Sequence, residues 1–218
     1  MRFFADGPDI PLELLEARDK GEVIFLCGAG ISMPAGLPSF NSLTRSVVQR
    51  LGAPDNSFTR PFLDRQEGVN ENGGELPALD QVFGYLQREY GSARVERVVS
   101  QLLRTPRSPR LDHHRTILRL SSDMRGRPRI ITTNFDLLFE KAAPHIRRYA
   151  PPHFPDLRSD ASFDGLVYLH GRLNGAAREP DELQGLVLGV GDLGRAYLSD
   201  GWATRFLKEL LTRYTVVL

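Results

Sequence analysis

The sequence predicts an α/β fold: a Rossmann-like, mostly parallel sheet with helices on both faces and a helical insertion over about residues 55–122. Three observations predict it. Short, mainly apolar runs at residues 23–27, 129–133 and 166–169 are too short for ordinary helices and read as buried strands. Each run ends in small or polar residues: Gly28-Ala29-Gly30, Asn134-Phe135-Asp136 and His170-Gly171. Amphipathic helical segments separate the runs, which is the pattern of parallel strands joined by helical crossovers.

Taken in order, residues 9–20 place Leu12, Leu14, Leu15 and Ala17 at helical spacing, and Gly21 stops that helix. The first strand and its glycine turn follow. Residues 41–51 form an amphipathic helix with Leu43, Val47, Val48 and Leu51 on one face, ended by Gly52. Residues 53–78, rich in Pro and Gly, read as an irregular segment able to move over a site. Helices are expected at 79–90, 93–103 and 112–121, with a Pro/Arg break at 105–110. The second strand, 129–133, runs into a helix at 137–143. A Pro- and Asp-rich connection covers 144–165, with a short strand near 147–149. The third main strand, 166–169, is followed by a short one at 186–188, helices at 192–198 and 202–212, and a final strand at 214–218.

Length and composition set bounds. The 218 residues carry a net charge of +1, so no basic field points to nucleic acid or to a membrane surface. Cys27 is the single cysteine, which excludes an intrachain disulfide and a cysteine-based zinc site. No apolar run has signal-peptide or membrane-spanning character, and a cytoplasmic location is expected. The expectation is one domain over residues 1–218, forming the N-terminal part of a longer protein, because the chain stops at the end of a buried-type strand.

The glycine turn carries the first chemical signal. A buried strand, Gly28-Ala29-Gly30, the hydroxyl of Ser32 and a second turn at Gly36 and Pro38 form the strand–turn–helix arrangement that cradles nucleotide phosphates. Met33 stands where a dinucleotide fingerprint has its third glycine, and no Gly-Lys-Ser/Thr follows, so neither standard phosphate motif is complete. In an open α/β sheet, ligands bind beyond the carboxyl ends of strands, so all three strand-end clusters are expected in one crevice. Each also has a plain structural reading. Asn134 or Asp136 serves equally as a helix cap, and His170 as a satisfied turn histidine. His113 and His114 are expected on a helix surface or at its start.

Taken together, these residues resemble a known family. Gly28-Ala-Gly-x-Ser32-x-x-x-Gly36-Leu-Pro38-x-Phe40 resembles the signature of the sirtuin superfamily. Thr132-Thr133-Asn134-Phe135-Asp136 is similar to its Thr-Gln-Asn-Ile-Asp motif, and His170-Gly171 to its catalytic His-Gly. The three motifs fall in family order across about residues 21–218. Asn41 replaces the Arg of sirtuin deacylases, Thr133 replaces their Gln, and the four zinc cysteines are missing. The pattern resembles the sirtuin-like NAD-hydrolysing (NADase) domains of bacterial anti-phage defence proteins, as does the segment from Leu188 to Tyr197.

The resemblance implies NAD as substrate, with no metal. Asn134 and His170 are then the catalytic residues. Gly28, Ala29, Gly30, Ser32, Gly36, Pro38, Phe40, Thr133 and Asp136 bind the nucleotide. It further implies an effector that depletes NAD when triggered, acting as a homo-oligomer or with a sensor partner or domain outside this chain, an Argonaute-type sensor being one such partner. Direct contact with nucleic acid or membrane is not expected. Two alternatives stay open: an NAD-dependent protein deacylase or ADP-ribosyltransferase, and a non-catalytic module sensing NAD or ADP-ribose.

Overall fold

A computed structural model describes residues 2, 4–52, 57, 59, 78–151, 153–157, 163–173 and 185–218. Strands β1 (Val23–Cys27), β2 (Arg129–Thr132), β3 (Arg148–Tyr149), β4 (Gly165–Tyr168) and β5 (Thr215–Val217) form one sheet in the order β3-β4-β2-β1-β5. Every pairing is parallel, with Cys27 level with Thr132, and Thr132 level with Tyr168. The fold is thus an α/β, Rossmann-like parallel sheet.

Strand side chains alternate between two apolar faces, because successive residues of a strand point to opposite sides. Ile24, Ile131 and Val167 pack with Phe206 and Leu210 of helix α8 (Trp202–Arg213). Cys27, Ile130, Leu166 and Tyr168 face the other way. There they meet Ile117 and Leu118 of α5 (Asp112–Leu120) and Phe139 of α6 (Leu138–Ala142). Each fully buried Leu- or Phe-sized side chain contributes roughly 1.5–3 kcal/mol, so both helical layers are held mainly by burial. Helix α1 (Leu12–Lys20) precedes β1 and stops at Gly21.

Helices α2 (Phe40–Leu51), α3 (Leu79–Tyr90) and α4 (Ser92–Leu102) make a separate apolar cluster around Val47, Val48, Phe83, Leu86, Val95 and Val99. Phe40 stacks on Phe83 with ring centroids 5.4 Å apart. The Ser39 hydroxyl caps α2 by accepting the Ser42 N–H at 3.1 Å. The same cluster takes in Phe135 and Leu173, which follow β2 and β4, and Leu188. The helical layer therefore packs against the loops at the carboxyl ends of the strands. Between Leu79 and Leu120 the described elements are all helical, as the expected insertion requires. The irregular segment expected at residues 53–78 lies outside the described residues, apart from Ser57, Thr59 and Ala78.

Two expected elements differ. Residues 186–188 are not a strand. The Asp192 carboxylate accepts the N–H groups of Leu188 (3.2 Å) and Gly189 (3.0 Å), donors that a sheet ladder would need. Val187 bonds back, donating to the His170 carbonyl at 2.9 Å. The single helix expected over 192–198 is instead α7 (Val190–Gly194) followed by a wider π turn, Arg195–Ser199.

Candidate active site

The carboxyl ends of β1, β2 and β4 lie side by side, and their three loops meet around a cavity of about 300 Å³. Ala29, Ser32, Pro38, Phe40, Thr133, Asn134, Asp136 and His170 line it, eight of the site residues expected from sequence. Gly28, Gly30 and Gly36 are not among the lining residues. Gly28 belongs to the same network through its carbonyl, described below. Leu37, Leu43, Leu103, Val187 and Leu188 supply apolar wall, and Asp80 of α3 adds a carboxylate. An apolar pocket with a few convergent polar groups is the usual form of a small-molecule site.

The glycine turn folds as two short 3₁₀ turns, Ala29–Ile31 and Met33–Ala35. They carry Ser32 inward until it is 2% exposed. Its hydroxyl donates to Asp136 Oδ2 at 2.8 Å and accepts from Asn134 Nδ2 at 3.1 Å. Asn134 Nδ2 also donates to the Gly28 carbonyl at 3.0 Å. The Asn134 backbone is fixed in turn, its N–H donating to Thr132 Oγ1, which itself donates to the Cys27 carbonyl. Asp136 Oδ1 accepts the Leu138 N–H at 3.0 Å, so this carboxylate both starts α6 and faces the cavity. The capping and site readings of Asp136 are therefore compatible. Burial pushes the Asp136 carboxyl above its ordinary value, and the bonds from Leu138 and Ser32 partly offset that.

A β-carbon built on Gly30 meets no atom of the described residues within 4 Å, and Gly30 is not among the glycines with positive φ. Nothing in the fold itself demands glycine there. The open space lies against the turn, where a ligand backbone would approach. Gly171 is different. Its φ of 95° is left-handed, and a β-carbon would press on Leu186 at 3.3 Å, so the turn after His170 needs glycine for the fold alone.

His170 is half-buried at the end of β4. Burial lowers its pKa, which keeps the imidazole neutral near neutral pH. Its Nε2 lies 2.7 Å from the Tyr197 hydroxyl on the π turn. Two residues on, Arg172 makes a paired contact with Glu140 of α6, at 2.6 and 2.8 Å, and Glu140 also accepts from Arg148 and the Tyr168 hydroxyl. These bonds draw the Glu140 carboxyl down to about 2 and brace the His170 turn. Cys27, buried beneath the site, has its thiol pushed up to about 11 by burial and is unreactive.

His114 corrects an expectation. It lies in the first turn of α5, at the helix start as expected, but is fully buried and not on a surface, with its ring edge-on to Phe139 and Nε2 3.5 Å from the Ser32 hydroxyl. Its Nδ1 has no hydrogen-bond partner among the described residues. Burial lowers its pKa to about 4, with His113 adding to the effect. The sequence did carry the signal: His114, Ile117, Leu118 and Ser121 follow the inward spacing of one helix face. Tyr197 was also missed as a site residue. A π turn shifts side-chain register by one residue, which a 3.6-residue period cannot anticipate.

Among the described residues, no group of three or more His, Cys, Asp or Glu is arranged to hold a metal ion, and no helix is long and apolar enough to cross a membrane. The chain is 36% identical, over its whole length, to the uncharacterized protein y4cA of Sinorhizobium fredii (strain NBRC 101917 / NGR234). It spans only 18% of that relative's length. Residues 128–218 match the family model of the SIR2-like domain, a span that contains Asn134, Asp136 and His170 and leaves the glycine turn outside. The parallel strand order and the three strand-end motifs accord with that match, and the similarity is to the SIR2-like domain over residues 128–218.

Proposed function

We propose that the site hydrolyses NAD at the bond between nicotinamide and ribose. The observation that carries this reading is the meeting of Ser32, Asn134, Asp136 and His170, from three separate strand ends, in one cavity of about 300 Å³. That volume is at the low end for ligand pockets, which run from roughly 300 to 1,000 Å³. It suits the nicotinamide riboside half, with the pyrophosphate lying along the Gly28–Gly30 turn. The open space beside Gly30 supports that path.

In the reaction, water attacks the ribose anomeric carbon as the carbon–nitrogen bond breaks through an oxocarbenium-like state. The bonding pair returns to the nicotinamide ring nitrogen and cancels its positive charge, so the leaving group needs no acid. The water's proton goes to His170, half-buried and held neutral, as general base. Asn134, with both donor and acceptor on one amide, orients the ribose hydroxyls or the water. Asp136 receives the nicotinamide carboxamide. Residues 1–218 act as one NAD-binding unit in this reading. The role of a triggered effector that depletes NAD, with an oligomer or sensor partner, rests on the resemblance of the motifs to anti-phage proteins. The great length of the relative beyond the matched part is compatible with further domains there.

Asn134→Ala and His170→Ala are each expected to abolish nicotinamide release while thermal unfolding stays cooperative. Chromatography of nicotinamide and ADP-ribose reads the result, and wild-type release by both variants would sink the proposal.

A further inference from the structure

We propose that Tyr197 is a positioning residue for His170: its hydroxyl oxygen accepts the Nε2–H of the imidazole, which leaves Nδ1 as the basic atom. The inference rests on the reading of His170 as general base.

The geometry is direct. The Tyr197 oxygen lies 2.7 Å from His170 Nε2, and the two rings stand at 79° with centroids 5.9 Å apart. Tyr197 is presented from a braced element. The Thr204 hydroxyl donates to the Tyr197 carbonyl at 2.6 Å, and the N–H groups of Asp200 and Gly201 close the π turn on the Arg195 carbonyl. Just before it, Asp192 is held by Gln87 of α3 (2.8 Å), by Arg195 (2.5 Å) and by the backbone of Leu188 and Gly189. π turns are recurrent at functional sites because the extra residue re-aims one side chain. Here that side chain is the one that reaches His170.

The choice of donor follows from the chemistry. When a base takes up a proton, both ring nitrogens carry hydrogen, and the imidazolium needs an acceptor at the nitrogen that faces the protein. The Tyr197 oxygen is that acceptor. With Nε2–H held by Tyr197 before and after proton transfer, the ring keeps one orientation through the reaction, and the incoming proton goes to Nδ1. The carboxylates lining the same cavity, Asp80 and Asp136, belong to other elements, and neither is a hydrogen-bond partner of the ring.

The test uses Tyr197→Phe, which keeps the ring and removes only the oxygen. Nicotinamide release is expected to fall about ten- to hundredfold in kcat, with KM for NAD changed less than about threefold, since the interaction acts on the base and not on substrate binding. The ¹⁵N resonances of His170 are expected to report the Nε2–H tautomer in the wild type and a mixture in the variant. Wild-type kcat in Tyr197→Phe overturns the proposal. So does an Nδ1–H tautomer in the wild type, or a tautomer unchanged by the substitution. The tautomer measurement needs no turnover, so it stands if the hydrolase reading fails. Conversely, an inactive His170→Ala beside a fully active Tyr197→Phe sinks the role of Tyr197 and leaves the hydrolase reading intact.

Discussion

His114 makes the protein acid-sensitive in a defined window. The ring is fully buried, edge-on to Phe139 and behind Ser32, so charging it costs desolvation, and no carboxylate among the described residues bonds it in return. Its pKa falls from 6.5 to about 4 on folding. The folded state thus resists a proton that the unfolded chain accepts. Stability from this site is complete above pH 6.5 and is lost as pH falls toward 4. At about 1.4 kcal/mol per pH unit, the whole loss is roughly 3 kcal/mol, of which about 2 has gone by pH 5. The perturbation is His114→Gln, which removes the titration and keeps an amide within reach of Ser32. Urea unfolding at pH 7.5, 6, 5 and 4.5 measures stability for both proteins. The wild type is expected to lose roughly 2 kcal/mol more than the variant between pH 7.5 and 5. His170, also lowered by burial, titrates in both proteins and cancels in the difference. Glu140 and Asp123, each drawn to about 2, act at lower pH and cancel too. Parallel stability curves for the two proteins from pH 7.5 to 5 would refute the argument.

Two further predictions probe the turn and the brace. Gly30→Ala meets no atom of the described residues, so unfolding free energy is expected to shift by less than about 0.5 kcal/mol. Nicotinamide release should fall at least about tenfold, because the methyl group occupies the ligand's path; unchanged release removes the turn from the site. Glu140→Gln leaves Arg172 and Arg148 without their charge partner and is expected to destabilise by roughly 2–3 kcal/mol at pH 7. With the carboxyl drawn to about 2 in the folded protein, that contribution is present above pH 4.5 and is lost as pH falls toward 2. A urea-measured loss under about 0.5 kcal/mol at pH 7 would show the cluster to be an ordinary surface ion pair.

The parts of the molecule legible in its sequence are those where local pattern and tertiary role agree. Residues 79–90 were expected as a helix and form one, Leu79–Tyr90, because its inward positions Val82, Phe83 and Leu86 carry the helical period unaided. Strands β1, β2 and β4 were legible because both of their faces are covered, which leaves an uninterrupted apolar run. Residues 186–188 look the same over a few positions. Their fate is decided by Asp192, whose carboxylate takes the N–H groups of Leu188 and Gly189, and no short-range pattern contains that competition. His114 misled for another reason: beside His113, in a helix that starts at Asp112, it suggested a solvated face, although the residues three, four and seven places on run inward.

The same contrast explains why the candidate site is legible in its strand ends and not in its contacts. The hydrogen bond from Ser32 to Asp136 joins residues 104 positions apart, and the one from Asn134 to Gly28 spans 106. No spacing rule reaches that far. What reaches is the sheet: parallel pairing sets Cys27 level with Thr132 and Thr132 level with Tyr168, so whatever follows these residues must emerge at one edge. Parallel order therefore turns three local observations into one place. It says nothing of the layers behind that place. His114 arrives from a helix beneath the glycine turn, and Tyr197 from a π turn after the last motif, each set by packing outside the sheet. The edge that carries the candidate site is accordingly the part a sequence can announce. The residues that hold its charges in position come from helices, and only the three-dimensional packing brings them in.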